Sequence, residues 1–138
     1  MRAARVLVGF ALAASAVAWT ATRSGDEVRT VDVTIHYSSF SPARYAFAVG
    51  ETVRFVVHNA DPIDHEFILG DRTVQILHER GTQAYHVPQP GVVTVPALTT
   101  QTTTFTFGGA AHLSIGCHLP GHYAHGMRIP VTVGCTTA

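Results

Sequence analysis

Large apolar residues recur at every second position along the first part of the chain after its N-terminal stretch. Residues 31–37 alternate strictly between apolar and polar types, and residues 45–49 and 53–57 place a large apolar residue at alternate positions. A period of two is typical of a β-strand with one buried face. We therefore predict three strands in these segments, with a turn at Gly50 and Glu51 between the second and the third.

Further strands are predicted in the second half of the chain. They cover residues 66–69, 92–95, 99–106, 112–117 and 128–133. Residues 74–80 favour one or two turns of helix, and Pro88 and Pro90 enforce an irregular path after them. Many short strands separated by Gly and Pro predict an all-β fold, an antiparallel sandwich or barrel.

The N-terminal stretch has a different pattern. Two arginines precede an uncharged apolar run over residues 6–19, which is the order of an export signal. We predict an apolar signal helix that forms a signal peptide over residues 1–18. An end near residue 24 and an uncleaved anchor are the alternatives, although a spanning helix needs about 20 apolar residues. The protein is therefore expected outside the cytoplasm, in the periplasm, at the cell surface or secreted.

Composition and charge indicate a single globular domain and argue against nucleic acid as a partner. The 138 residues suffice for one domain, predicted over residues 26–134, and the apolar share of 46% is enough for a core. Nine basic residues balance nine acidic ones, so no basic surface is indicated for nucleic acid or an anionic membrane. We expect a monomer without a nucleic-acid partner, associated with a membrane only if the N-terminal segment is retained.

The two cysteines, Cys117 and Cys135, suggest a disulfide first, because the chain is expected to be exported. Cys117 has a stronger alternative role. It opens a loop between two predicted strands in which Cys117, His122 and Met127 recur at intervals of five residues. These three side chains can converge from a single loop. Cys135 receives no assigned function.

The donor types in this loop indicate a metal, and the methionine indicates which one. Two histidines and a cysteine with a weak axial methionine are the ligands of blue-copper electron-transfer sites. Structural zinc sites use cysteine, histidine and carboxylates instead. A zinc-binding helix with His118, His122 and His125 is also disfavoured, because Pro120 and Gly121 would interrupt it.

The loop supplies one of the two histidines, so the other must come from elsewhere. His65 is the candidate, since it opens a strand directly after a loop that contains Pro62, at an end of the sandwich where loops cluster. Segment 59–67 reads Asn-x-Asp-Pro-x-x-His-Glu-Phe, and segment 117–127 reads Cys-His-x-Pro-Gly-His-x4-Met. Together these two motifs resemble the cupredoxins, and the Cys-x4-His-x4-Met spacing is closest to auracyanin-like members.

The resemblance covers about residues 28–134 and implies a Greek-key antiparallel β-sandwich with one copper ion, Cu+ or Cu2+, as the cofactor. The family pattern implies His65 and His122 as equatorial imidazoles, Cys117 as the thiolate and Met127 as the axial ligand. In several cupredoxins a polar residue, often asparagine, follows the first histidine and links the two ligand loops. Glu66 occupies that position here, and a carboxylate there would alter the surroundings of the copper.

Four protein ligands leave the copper no open position for a substrate, which favours single-electron transfer and indicates that the protein is not an enzyme. In cupredoxins the histidine equivalent to His122 emerges through an apolar patch. Redox partners are therefore expected to dock near Leu119, Pro120, His122 and Tyr123. An extracytoplasmic copper carrier or storage protein is the alternative. A multicopper oxidase would need further histidine pairs, and a metal-free adhesion module would not keep all four ligands.

The remaining histidines are predicted to have no role in the copper site. His118 and His125, which flank the ligands, are expected to be exposed. A second, weaker metal site that uses His78, His86 or His118 is the alternative. The histidines expected on strands or in the irregular stretch are His36, His58, His78, His86 and His112.

Overall fold

The computed structural model describes residues 28–81 and 87–134. The predicted signal segment, His86 and Cys135 lie outside these residues. Within the described ranges the strands in chain order are β1 (Arg29–His36), β2 (Ser39–Ser41), β3 (Tyr45–Ala48), β4 (Thr52–Asn59), β5 (His65–Gly70), β6 (Val92–Val95), β7 (Thr100–Thr106), β8 (Ala111–Gly116) and β9 (Arg128–Gly134). Helix α1 (Arg72–Glu79) connects β5 to β6. No helix in the part described has the length and apolar character needed to cross a membrane.

The strands form two sheets, in the orders β2-β1-β4-β7 and β3-β9-β8-β5-β6. One buried cluster of apolar side chains, drawn from both sheets, fills the space between them, which confirms the predicted β-sandwich. The sheets are mixed and not wholly antiparallel, because β1 pairs with β4 and β3 pairs with β9 in parallel. Alternation along a strand reports which face is buried, but it carries no information on the direction of the neighbouring strand.

The alternating positions predicted to face inward form the core. Val33 and Ile35 of β1 are fully buried, as are Val53, Phe55 and Val57 of β4. Burying an aliphatic or phenyl side chain of this kind contributes about 1.5–3 kcal/mol. The pattern ends one residue earlier than predicted, because Tyr37 is 85% exposed and adopts a positive φ of 51° in a turn.

Strand β5 is buried at all six positions, so its sequence shows no alternation. It pairs with β6 on one side and with β8 on the other, and α1 packs against β5 and β8. A Cβ atom at Gly70 would lie 2.5 Å from the Val74 side chain, so glycine allows the helix to approach the strand closely. The Asp71 carboxylate accepts the Val74 N–H at 2.9 Å and caps this helix at its N-terminus.

The loop between β4 and β5 organises one end of the sandwich. The Asn59 amide donates to the carbonyls of Ile63 at 2.8 Å and Val95 at 3.0 Å. The Asp61 carbonyl accepts the Leu98 N–H at 3.1 Å. These bonds join the β4–β5 loop to the β6–β7 connection, and the long β8–β9 loop lies at the same end. Residues distant in sequence therefore meet there.

Candidate metal centre

Three of the four residues predicted as metal ligands converge at this end of the sandwich. The donor atoms of His65, Cys117 and His122 all lie within 4.8 Å of one another. Cys117 Sγ is 3.3 Å from His122 Nδ1 and 4.0 Å from His65 Nδ1. Donors that share one ion at bond lengths of about 2.0–2.3 Å are separated by about 3–4.5 Å. The separations therefore fit one metal ion between the three side chains.

Met127, the fourth predicted ligand, lies directly beside Cys117. Its carbonyl accepts the Cys117 N–H at 3.2 Å, and its N–H donates to the His122 carbonyl at 3.0 Å. The residue is 2% exposed and belongs to the apolar core cluster. Two imidazoles and a cysteine sulfur, with a methionine residue joined to that cysteine through the backbone, form a donor set that suits copper. That each of the four binds the ion stays a prediction.

The β8–β9 loop reaches this arrangement through successive tight turns. His122 N–H donates to the Leu119 carbonyl at 3.0 Å, and His125 N–H donates to the Gly121 carbonyl at 3.0 Å. Gly121 and Gly126 have φ values of 85° and 97°, a region in which glycine is favoured. The described loop is not a continuous helix, in agreement with the prediction against a helical zinc site.

Burial sets the protonation of two of the donors. Burial raises the pKa of the Cys117 thiol to about 11, against hydrogen bonds from the backbone of Leu119 and Glu66 that lower it. A metal ion that binds there must displace the thiol proton. Burial, with the positive charges that His65 and His125 can carry, lowers the pKa of His122. Its imidazole is therefore neutral near pH 7 and keeps a lone pair for a metal.

Glu66 points toward the site and joins the two ligand segments. The residue is 1% exposed, and its carboxylate accepts the His118 N–H at 3.0 Å. Its own backbone N–H donates to Cys117 Sγ at 3.3 Å. The link that asparagine often makes in cupredoxins is therefore made here by a carboxylate, whose charge also contributes to the raised pKa of Cys117.

Asp61 is a part of the site that the sequence analysis missed. Its carboxylate is buried and lies 2.9 Å from His65 Nε2. Burial by itself raises the pKa of Asp61, but the N–H groups of Ser38 and Tyr37 and the hydrogen bond with His65 outweigh it and lower that pKa. An aspartate four residues before a predicted ligand, within the same loop, was the available signal.

His118 differs from the prediction, because it is half-buried and not exposed. Its Nε2 lies 2.7 Å from Gln75 Oε1, and its ring stacks on Tyr123 with a centroid distance of 4.3 Å. The packing of α1 against β8 covers it, which a loop sequence does not reveal. His125 is exposed, as expected.

The alternative of a second metal site gains no support from the described residues. The His78 and His118 rings lie 6.1 Å apart, but within the described ranges the single group of three or more convergent donors is that of His65, Cys117 and His122. The strand alternation predicts His36 and His58 to face outward: His36 is exposed, and His58 is half-buried. His112 is exposed. The His58 ring lies between two polar side chains: its Nε2 is 2.9 Å from Asp32 Oδ1, and its Nδ1 is 3.0 Å from Thr100 Oγ1.

Comparisons with known proteins agree with this site and fold. No model of a known protein family matches the chain. The chain is 36% identical over 118 residues to the copper-resistant cuproprotein CopI of Rubrivivax gelatinosus, with 80% of this chain and 72% of that protein covered. It is 27% identical to CopI of Pseudomonas aeruginosa, with 76% of each chain covered. Reduced auracyanin of Roseiflexus castenholzii superposes with a TM-score of 0.65 at 18% identity over 79% of this chain and 99% of that one. This likeness confirms the cupredoxin fold.

Proposed function

This chain belongs to the family of the copper-resistant cuproprotein CopI, and we propose that it is an exported copper protein that carries single electrons between redox partners. The observation that carries the proposal is the convergence of His65, Cys117 and His122 within 4.8 Å, with Met127 bonded to Cys117 through the backbone. Copper is the cofactor that this donor set and the family indicate. We propose His65, Cys117, His122 and Met127 as its ligands.

Hydrogen bonds with neighbouring residues hold two of these donors, His65 and Cys117, in place. His65 and Cys117 are fully buried, which excludes water from one side of the site. The Glu66 N–H is directed at Cys117 Sγ, and the Asp61 carboxylate at His65. Copper bound there supplies a one-electron couple, Cu+ and Cu2+. Because the donors are fixed, little of the protein has to rearrange when the charge of the site changes, which suits fast electron transfer.

His122 is the proposed route for electrons between the site and the surface. It is half-buried, whereas His65 is fully buried. Pro120 beside it is exposed, and Leu119 and Tyr123 are half-buried. These four residues are the proposed docking surface for redox partners, which would bind in a small and transient interface. We assign no enzymatic activity, because four protein donors fill the coordination of one copper ion.

A copper carrier or storage function is the second candidate, because the same donors could hold copper for delivery and the relatives are named copper-resistant cuproproteins. The two functions make opposite demands on the metal. An electron carrier keeps its copper through many redox cycles, whereas a carrier of copper releases it to an acceptor. A copper dissociation rate much slower than electron exchange with a partner supports the first function, and release to a chelator on the same timescale supports the second.

Addition of Cu2+ to the purified full chain tests the copper site. We expect an intense visible thiolate-to-copper charge-transfer band with one equivalent of copper, because the site holds one buried thiolate beside two imidazoles. Cys117→Ala should abolish this band. Cys135→Ala is the matched control and should keep it. A wild-type protein without the band, or a Cys117→Ala variant that retains it, would contradict the proposed site.

A further inference from the structure

The carboxylate of Asp61 lies behind His65, on the side of the imidazole ring away from Cys117. Asp61 Oδ2 is 2.9 Å from His65 Nε2, whereas Cys117 Sγ is 4.0 Å from His65 Nδ1. Asp61 is 5% exposed and His65 is fully buried. The two nitrogens of the ring therefore face different partners, a carboxylate on one side and the candidate metal site on the other.

The turn after β1 is shaped around this carboxylate. Tyr37 N–H and Ser38 N–H donate to the two Asp61 oxygens, each at 2.7 Å. Both residues have positive φ values, 51° and 52°, a conformation that is disfavoured for residues other than glycine. Successive backbone N–H groups in such a turn form a concave binding site for an anion. The strained turn and the charge of Asp61 therefore support each other.

The direction of the hydrogen bond with His65 follows from this arrangement. Backbone N–H groups can only donate, and each Asp61 oxygen already accepts one of them. An ionised carboxylate has no proton to donate, so the proton between the two side chains belongs to His65 Nε2. In the neutral form of the ring, the lone pair is then on Nδ1, the nitrogen that faces Cys117.

We propose that Asp61 is the positioning residue of the copper site: it fixes His65 in the Nε2–H tautomer and in one ring orientation, with Nδ1 presented to the metal. This inference rests on the proposed copper site. The negative charge of Asp61 also strengthens the imidazole as a donor, which stabilises Cu2+ relative to Cu+. Partners of this kind behind metal-bound histidines fix the tautomer and raise ligand basicity.

The metal-free wild-type protein gives the first test, by nitrogen-15 NMR of the histidine side chains. We expect His65 in the Nε2–H tautomer, with a proton on Nε2 that exchanges slowly with water because the ring is fully buried. A His65 ring protonated on Nδ1 instead would overturn the proposal. This measurement needs no copper and no variant, so it decides the inference even if a substitution at Asp61 prevents folding.

Asp61→Asn gives the second test, because asparagine keeps the size but presents an amide in place of one oxygen. We expect the affinity for Cu2+ to fall by about 10- to 100-fold and the reduction potential to rise. Asp64→Asn is the matched control in the same loop; the Asp64 carboxylate accepts the Ala97 N–H at 2.8 Å. It should leave affinity and potential close to those of wild type.

The outcomes separate the inference from the proposed function. A folded Asp61→Asn protein with unchanged copper affinity and potential would overturn the role of Asp61 while the copper site stands. Equal losses in Asp61→Asn and Asp64→Asn would also overturn it, since they would reflect general damage to the loop. A wild-type protein without the charge-transfer band would contradict the copper site itself, while the tautomer of His65 would still report on Asp61.

Discussion

The two segments that carry the proposed ligands are held in different ways. The β4–β5 loop, with His65 at its end, is fixed by buried polar side chains, the amide of Asn59 and the carboxylate of Asp61. The β8–β9 loop, with His122 near its middle, is shaped by its own backbone turns around that ligand, and a side chain from outside the loop, Glu66, holds it near its start at His118. The two ligands also differ in burial: His65 is fully buried and His122 is half-buried. One segment therefore places its ligand inside the protein, and the other brings its ligand to the surface.

The largest expected effect comes from removing each imidazole in turn. His122→Gly and His65→Gly should both lose the thiolate-to-copper band. Added imidazole should restore the band in His122→Gly, because the space left there opens to solvent, but not in His65→Gly, where the space is enclosed. Visible absorption in a titration of Cu2+ with increasing imidazole measures this. Equal rescue of the two variants would show that the two loops do not differ in access.

Cys117 sharpens the comparison, because it belongs to the exposed loop but is as buried as His65. Burial raises its pKa from 9.0 to about 11 in the folded protein. The folded state therefore favours the neutral thiol, and this stabilisation is complete below pH about 9 and disappears as the pH rises through about 11. We expect metal-free wild type to lose about 3 kcal/mol more of its free energy of unfolding over this range than Cys117→Ala does.

Urea unfolding of both proteins at a series of alkaline pH values measures this difference. Tyr45, whose pKa burial raises to about 12, titrates in both proteins and cancels in the comparison. A parallel decline of the two curves would show that the thiol is as easily ionised in the folded protein as in the unfolded chain.

The smallest expected effect concerns the docking surface. Leu119→Asp should slow electron exchange with a redox partner by about tenfold, which corresponds to about 1.4 kcal/mol, and leave the copper spectrum intact. A charge in an apolar contact surface opposes docking, but Leu119 is not a proposed ligand. Val49→Asp is the control. Val49 is 40% exposed and lies before the first residue of β4, whereas the candidate metal site lies after the last residue of that strand. Stopped-flow absorption can follow the exchange, and equal rates in the two variants would count against docking around His122.

The sequence by itself determined most strands and the composition of the candidate site. The alternation over residues 31–37 and 53–57 predicted β1 and β4, because a strand that covers a core must turn every second side chain inward. The motif around His65 and the five-residue spacing of Cys117, His122 and Met127 predicted four metal ligands. The structure brings the donor atoms of three of them together and places the fourth residue, Met127, beside Cys117.

Only the tertiary structure decided how these parts are held. Asp61 meets a turn 24 positions earlier in the chain, and Glu66 meets the backbone of His118 52 positions later. Contacts between distant segments also decide three other features. They are the parallel pairing of β1 with β4, the burial of both faces of β5 and the partial burial of His118. Periodicity and spacing describe what a segment can bury or bind. Which group lies opposite it depends on contacts between distant segments, and these are set only when the whole sandwich packs.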